Sequence, residues 1–213
     1  MRVLVAGGAG FIGGHVCREL LDRGHEVLCL DNLSTGCIEN IDEIEAHPRF
    51  TFVREDVTRT PLMTVDLILH LASRASPVHY KANPIETMIA NSAGTHRLLA
   101  LAADCGARFV FASTSEVYGD PLEHPQRESY WGNVNPIGPR ACYDESKRFG
   151  EAMTFEYRRT RGVNASVVRV FNTYGPRMSI DDGRVVPAFI GAALAGLPLP
   201  VFGDGCQTRS LCF

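Results

Sequence analysis

The first thirteen residues constrain the fold more than any other stretch of this 213-residue chain. Val3 to Ala6 is a short, continuously apolar run, typical of a buried parallel strand, and Gly7, Gly10 and Gly13 follow it. The pattern from His15 to Arg23 then predicts a helix. A strand, a glycine turn and a helix in this order let backbone N–H groups approach a pyrophosphate. The opening of the chain therefore predicts a nucleotide-binding unit.

The alternation of strands and helices continues to about residue 175. Short apolar runs predict strands at 26–30, 50–54, 65–72, 108–112 and 163–170, and helical patterns predict helices at 83–105, 141–161 and 186–195. This order indicates an α/β fold with a doubly wound, mostly parallel sheet of the Rossmann type and helices on both faces. We expect residues 1–175 to form an NAD-binding domain that carries the catalytic residues, and residues 176–213 to begin a smaller substrate-binding subdomain.

An acidic residue, Asp31, ends the second predicted strand, about twenty residues beyond the glycines. A carboxylate at this place can accept hydrogen bonds from a ribose and repels a phosphorylated ribose. The position therefore predicts NAD rather than NADP as the cofactor, although aspartate is also a common turn residue.

Tyr143 and Lys147 lie four residues apart, so that they share one face of the helix predicted at 141–161. A tyrosine with a pKa of about 10 is a poor proton acceptor at neutral pH, but a nearby ammonium group favours its phenolate. Thr114 and Glu116 follow the strand predicted at 108–112, at the sheet edge where open α/β sheets place their ligands. Together these residues predict a base at the carboxyl edge of the sheet.

Composition excludes several classes of partner. The net charge of −3 and the dispersed Lys and Arg residues predict no nucleic-acid partner, and no apolar run is long enough to cross a membrane. The seven cysteines form no Cys-x-x-Cys pair and no zinc-finger spacing, so we expect reduced thiols, a cytoplasmic location and no metal site. The ligand is expected to be small.

A long loop separates the predicted strand at 108–112 from the helix at 141–161. Residues 118–140 are rich in Gly, Pro and Asn and exceed an ordinary connection, which predicts a segment that covers the active site. Within it, Trp131 is expected to pack the loop down rather than to stack on a substrate.

Glycines 7, 10 and 13, Asp31, Thr114 and the Tyr143–Lys147 pair, in this order, resemble the extended short-chain dehydrogenase/reductase family. Within that family, the runs 112–121, 129–140 and 171–178 resemble UDP-glucuronate decarboxylases, which make UDP-xylose. Sugar-nucleotide 4,6-dehydratases usually carry an aspartate where this chain has Ser115, and 4-epimerases usually lack a residue equivalent to Glu116.

The resemblance implies NAD-dependent decarboxylation of UDP-glucuronate to UDP-xylose through a transient 4-keto intermediate. Tyr143, assisted by Lys147, would take the proton of the sugar 4-hydroxyl, Thr114 would bind the same oxygen, and Glu116 would position the sugar or manage a proton. The implied cofactor-binding residues are Gly7, Gly10, Phe11, Ile12, Gly13, Asp31, Asn32, Asp56, Val57, Leu71, Tyr143, Lys147 and Thr173. The implied substrate-binding residues are Ser115, Asn172, Arg184 and Arg209.

The resemblance also implies a homodimer formed through the helices at 83–105 and 141–161. Family members commonly have Lys-Thr-Asn where this chain has Ile89-Ala90-Asn91, and proline in place of Arg74. They also continue well beyond the segment 207–210, so we expect an incomplete substrate subdomain. The chain should then bind NAD but turn over UDP-glucuronate poorly or not at all unless the missing segment is supplied. The alternatives are an inactive NAD-binding module and a related nucleotide-sugar epimerase or dehydratase.

Overall fold

A computed structural model describes residues 1–201 and 203–213. The strands are β1 (Arg2–Ala6), β2 (Glu26–Asp31), β3 (Phe50–Arg54), β4 (Leu67–His70), β5 (Arg108–Thr114), β6 (Ala165–Val170), β7 (Asn172–Thr173) and β8 (Leu211–Cys212). The α-helices are α1 (Phe11–Asp22), α2 (Asp42–Glu45), α3 (Pro77–Ala82), α4 (Pro84–Ile89), α5 (Thr95–Cys105), α6 (Ala141–Arg161) and α7 (Val185–Leu194).

Within the described residues, six strands form one parallel sheet in the order β3-β2-β1-β4-β5-β6. This confirms the predicted doubly wound α/β fold. The strand order reverses direction between β1 and β4, which opens a crevice at the carboxyl ends of these strands. Their apolar side chains are buried on both faces, as expected where helices cover both sides of the sheet.

Helix α1 begins at Phe11, four residues earlier than the predicted His15, so Gly13 lies inside the helix. The reason is a close approach of two backbone segments. A Cβ atom on Gly13 would lie 2.1 Å from the Gly7 carbonyl oxygen, and one on Gly14 would lie 2.7 Å from the Asn40 carbonyl oxygen. These glycines let the first turn of the helix pack directly against the loop that precedes it.

The helix predicted at 83–105 is one continuous helical segment with an irregular centre. Between α4 and α5, residues Ala90–Gly94 form a π-helical turn. Apolar periodicity did not predict this turn, because the turn changes the backbone hydrogen-bonding pattern and not the residue types. π turns of this kind are frequent at functional sites, and this one contains Asn91.

A second, two-stranded parallel sheet pairs β7 with β8, so that Asn172 lies opposite Leu211 and Thr173 opposite Cys212. Helix α7 agrees within one residue with the helix predicted at 186–195. The domain boundary at residue 175 stays a prediction. No helix in the part of the chain that the structure describes is long and apolar enough to span a membrane.

Helix α6 crosses the sheet at β5 with very little space between them. A Cβ atom on Gly150 would lie 2.4 Å from Cζ of Phe111, a ring that is completely buried. Gly150 therefore sets the distance between the helix that carries Tyr143 and the strand that ends at Thr114.

We expect Gly150→Ala to lower the free energy of unfolding. The overpacking cost of about 1–3 kcal/mol exceeds the gain of about 0.5–1 kcal/mol from replacing a helical glycine. Urea unfolding measures the change, and Ala152→Ser on the exposed side of the same helix is the control, with an effect within about 0.5 kcal/mol. An equal or greater stability of Gly150→Ala would show that this contact does not limit the packing.

Candidate active site

Tyr143 lies in the first turns of α6, with its side chain only 5% exposed. Its ring stacks on that of Tyr80, from α3, with 5.0 Å between the centroids and 5° between the planes. No sequence pattern singled out Tyr80, because nothing in the local pattern brings residues 80 and 143 together. Tyr143 is therefore held in one orientation by a second aromatic ring.

Burial raises the pKa of Tyr143 to about 12, because the charged phenolate is poorly solvated there. The Thr114 side chain and the positive charge of Arg184 act in the opposite direction, which places both close to the phenol. Tyr143 therefore needs additional positive charge before it can act as a base at neutral pH.

Lys147 is the buried cation of the site. Its Nζ donates a hydrogen bond of 2.8 Å to the Ala112 carbonyl and lies 4.8 Å from the centroid of the Phe111 ring. Burial lowers the pKa of Lys147 to about 7, and the charge of Glu151 opposes this effect. A lysine with this pKa is poised between its two protonation states at neutral pH.

His70, at the end of β4, is completely buried close to Lys147. Burial, together with the positive charge of Lys147, lowers the pKa of His70 to about 3, so the imidazole is neutral. Its Nε2 lies 3.0 Å from the hydroxyl of Thr95, which donates to the Asn91 carbonyl at 2.7 Å. Asn91 in turn donates to the Ser146 hydroxyl at 3.0 Å. This chain of contacts connects the π turn to the helix that carries Lys147.

Glu116 follows β5 in a short 3-10 turn, and its carboxylate forms an ion pair with Arg140. Arg140 also lies 4.0 Å from the carboxylate of Asp144, the residue after Tyr143. The Thr114 hydroxyl accepts a hydrogen bond of 3.3 Å from the Glu116 backbone. The structure thus brings Thr114, Glu116, Tyr143 and Lys147 to one sheet edge, as predicted, and adds Arg140, which the sequence analysis did not single out.

The glycine turn borders a cavity of about 360 Å³ at the carboxyl ends of β1 and β2. Its lining includes seven of the predicted cofactor-binding residues, Gly7, Gly10, Asp31, Asn32, Asp56, Val57 and Leu71. Arg74, Ile89 and Ala90, where the chain departs from the common family pattern, line the same cavity. The walls thus combine backbone groups at the start of a helix with four carboxylate side chains, those of Asp31, Glu55, Asp56 and Glu86.

Asp31 connects the glycine turn to the loop after β2 by accepting a backbone hydrogen bond from each. One carboxylate oxygen accepts a hydrogen bond of 3.0 Å from the backbone of Ala9, and the other accepts one of 2.8 Å from the backbone of Leu33. Burial raises the pKa of Asp31, and the two backbone donors oppose that rise. Each oxygen keeps a second lone pair that could accept a ribose hydroxyl.

The geometry of the glycine turn is suited to the binding of a dinucleotide in this cavity. Gly7 has a φ of +83°, and a Cβ atom there would lie 2.6 Å from the Ala72 backbone nitrogen. Any other residue would fill the space between the turn and β4. Of the remaining predicted cofactor residues, Phe11 packs edge-on against His15 at 5.7 Å, and Ile12 and Gly13 lie in the first turn of α1.

The predicted substrate residues lie in two groups. Arg184 pairs with Asp182, whose carbonyl accepts a hydrogen bond of 2.6 Å from Ser76. Asn172 donates to the Ser210 carbonyl at 3.1 Å, next to the exposed Arg209, so that these residues meet at the β7–β8 pair. Ser115 follows Thr114, and Thr173 lies on β7 beside Asn172. Their binding roles stay predictions.

The prediction for Trp131 is wrong, because its side chain is 89% exposed and packs nothing down. The loop is held by other residues. Arg148 donates to the carbonyls of Val117 and Trp131 at 2.9 and 2.8 Å, and Tyr118 stacks on Tyr130. In residues 1–201 and 203–213, no group of three His, Cys, Asp or Glu side chains is arranged to hold a metal ion.

A sequence model described as the NAD dependent epimerase/dehydratase family matches residues 3–213. The chain belongs to this family. The match confirms the resemblance that the glycine, aspartate and Tyr–Lys motifs predicted, and the cofactor in the family description, NAD, is the predicted one.

Among curated proteins, the chain is 54% identical over 210 residues to UDP-glucuronic acid decarboxylase 1 of Arabidopsis thaliana, and this match covers 99% of the chain and 48% of that protein. It is 52% identical to UDP-glucuronic acid decarboxylase 1 of Xenopus tropicalis, with 98% of the chain and 50% of that protein covered. The chain thus spans about half the length of these relatives.

Solved structures of the same fold include other sugar-nucleotide enzymes. UDP-N-acetylglucosamine 4-epimerase from Methanobrevibacter ruminantium matches with a TM-score of 0.89 at 32% identity, covering 99% of this chain and 68% of that one. UDP-glucuronic acid 4-epimerase from Bacillus cereus, crystallised with UDP-glucuronic acid and NAD, matches with a TM-score of 0.85 at 30% identity, covering 99% and 68%.

We expect the burial of the Asp144 carboxyl to change how the stability of the chain depends on pH. Burial raises the pKa of this carboxyl from 3.8 to about 6. Between these values the folded state binds more protons than the unfolded state, so the contribution of Asp144 to stability falls as the pH rises. Asp144→Asn, which does not titrate, should therefore gain stability relative to the unaltered chain between about pH 4 and about pH 7.

Urea unfolding of both proteins at the two pH values measures this difference, and Asp22→Asn, at an exposed position, is the control for loss of one negative charge. If the difference in unfolding free energy between Asp144→Asn and the unaltered chain does not change with pH, the raised pKa of Asp144 is contradicted.

Proposed function

We propose that this chain carries the catalytic half of an NAD-dependent UDP-glucuronate decarboxylase. The proposal rests on one observation above all: Glu116, paired with Arg140, lies at the same sheet edge as Thr114, Tyr143 and Lys147. The identity of more than 50% with proteins named UDP-glucuronic acid decarboxylase supports the choice of substrate.

When bound, NAD supplies a reversible hydride acceptor. The residues that would hold it are those of the cavity. Backbone groups at Gly7 and Gly10 would face the pyrophosphate, and Asp31 would accept hydrogen bonds from the adenosine ribose. A phosphorylated ribose would meet the Asp31 carboxylate and be repelled.

Tyr143 would accept the proton of the sugar 4-hydroxyl while C4 is oxidised. Its raised pKa makes it a strong base once deprotonated, and the ammonium group of Lys147 lowers the cost of forming the phenolate. Thr114, whose side chain lies at the phenol, would hydrogen-bond the same substrate oxygen. Tyr143 would return the proton when C4 is reduced again.

Glu116 and Arg140 would act at the carboxylate end of the sugar. A ketone at C4 lies β to the C6 carboxylate, so the electrons left by departing carbon dioxide pass into the ketone, whose oxygen Tyr143 and Thr114 hold. Arg140 offers the uronate a cation in place of its present partner, Glu116. The released Glu116 would then position the ring or manage the proton that C5 gains.

We also propose a homodimer formed through α4, α5 and α6. Large apolar side chains on α4 and α6 are exposed in the single chain: Ile85 by 61%, Met88 by 43%, Phe149 by 50% and Phe155 by 38%. We also propose a cytoplasmic location, because all seven cysteines are free thiols, as expected for a protein in a reducing compartment.

Two other functions remain as candidates. A 4-epimerase acting on a related UDP-sugar is favoured by the fold similarity to the UDP-glucuronic acid 4-epimerase of Bacillus cereus. The other candidate is a catalytically inactive NAD-binding module; the chain spans 48% of the length of the decarboxylase of Arabidopsis thaliana.

Incubation of the purified chain with NAD and UDP-glucuronate distinguishes these functions. We expect carbon dioxide and UDP-xylose in equal amounts, and a loss of at least about 10²-fold in Tyr143→Phe because the proton acceptor is removed. NAD binding, measured by calorimetry, is the control that must persist in this variant. Binding without any product would leave the inactive module, and UDP-galacturonate as the product would identify an epimerase.

A further inference from the structure

Glu151 is a buried carboxylate that the proposed mechanism does not use. It lies on α6 one turn beyond Lys147 and on the same face of the helix, and its residue surface is only 8% exposed. The hydroxyl of Ser113, the neighbour of Thr114 on β5, donates to it at 2.6 Å. Glu151 therefore lies between α6 and β5, one turn from Lys147 and bonded to the neighbour of Thr114.

Arg169 on β6 holds this carboxylate with both arms of its guanidinium, at 2.9 Å from Nε and 2.7 Å from Nη2. Its remaining nitrogen, Nη1, donates to the Tyr118 hydroxyl at 2.8 Å and to the Glu128 carbonyl at 3.0 Å. The guanidinium also lies 4.8 Å from the centroid of the Tyr118 ring. A fully bonded, planar pair of this kind fixes the carboxylate in one place.

We propose that Glu151 is a positioning residue whose carboxylate stabilises the ammonium form of the buried Lys147, with Arg169 setting how much of that negative charge Lys147 experiences. The proposal rests on the proposed function only in that Tyr143 and Lys147 form its base. It concerns a charge balance within the folded chain, which exists whether or not the chain turns over a substrate.

Glu151 supplies a negative charge near Lys147 that the other neighbouring groups do not. From β4, Lys147 faces the neutral His70; from β5, it faces the Ala112 carbonyl and the Phe111 ring; from α6, it faces the phenol of Tyr143. None of these groups carries a full negative charge at neutral pH. The effect of Glu151 on the pKa of Lys147 is upward, against the larger effect of burial.

The chain is well suited to a direct test, because Lys81 and Lys147 are its only lysines. Lysine labelled with ¹³C at Cε gives two NMR signals, and Lys81, at an exposed position, serves as an internal reference. Titration of the second signal gives the pKa of Lys147 in the full chain without substrate or turnover.

We expect opposite changes from two substitutions. Glu151→Gln keeps the size of the side chain but removes its charge and leaves Arg169 unbalanced, so the pKa of Lys147 should fall by about 1 unit or more. Arg169→Met leaves the carboxylate unbalanced, so the pKa of Lys147 should rise. A purely structural role for the pair would not produce shifts of opposite sign.

Glu156→Gln, on the exposed part of the same helix, is the matched control and should leave Lys147 unchanged. Circular dichroism and thermal unfolding verify that each variant is folded, and Arg169→Gln replaces Arg169→Met if the latter is not. An unchanged or higher pKa of Lys147 in Glu151→Gln overturns the proposal, and so does a lower one in the Arg169 variant. A failure of the decarboxylase assay alone leaves these titrations interpretable, so the two proposals fail separately.

Discussion

The packing of helix α6 across strand β5 determines where Tyr143 and Lys147 lie relative to Thr114. Gly150 allows the helix to approach the Phe111 ring, and at that distance Lys147 reaches the Ala112 carbonyl. One further contact, between Ser113 and Glu151, fixes the helix at the end of the strand. Burying an ammonium group costs several kcal/mol, so the carbonyl, the ring and the buried carboxylate are needed to offset that cost. The chemistry of Tyr143 therefore depends on the packing of the helix beneath it.

The glycine turn supplies the second half of the site through backbone geometry alone. Gly7 and Gly13 bring β1, α1 and the end of β4 close enough that no side chain fits between them. The result is a cavity walled by backbone groups and by Asp31, placed at the reversal of strand order where parallel sheets bind nucleotides. Because both halves are built on one parallel sheet, the fold sets the position of the cavity at the glycine turn relative to the Tyr143–Lys147 pair on α6.

Local sequence patterns predicted the strands and the glycine turn, because these features follow from residues close together in the chain. The juxtaposition of Thr114 with the Tyr143–Lys147 pair followed from the position of both at the carboxyl edge of a parallel sheet and from the family resemblance. The contacts that tune the site could not be predicted in this way. The Tyr80–Tyr143 stack and the Glu151–Arg169 pair join segments 63 and 18 residues apart, and neither leaves a periodic signal. The exposure of Trp131 was missed for a similar reason, since a large aromatic residue is buried only if the loop finds a surface to cover.

We propose above all that NAD binds in the cavity at the glycine turn, with its nicotinamide ring reaching Tyr143. A crystal structure of the chain with NAD tests it most directly. We expect the pyrophosphate at the start of α1, the adenosine ribose on the Asp31 carboxylate and the nicotinamide ring at the Tyr143 phenol. A cofactor bound elsewhere, or one whose nicotinamide ring lies away from Tyr143, would contradict it.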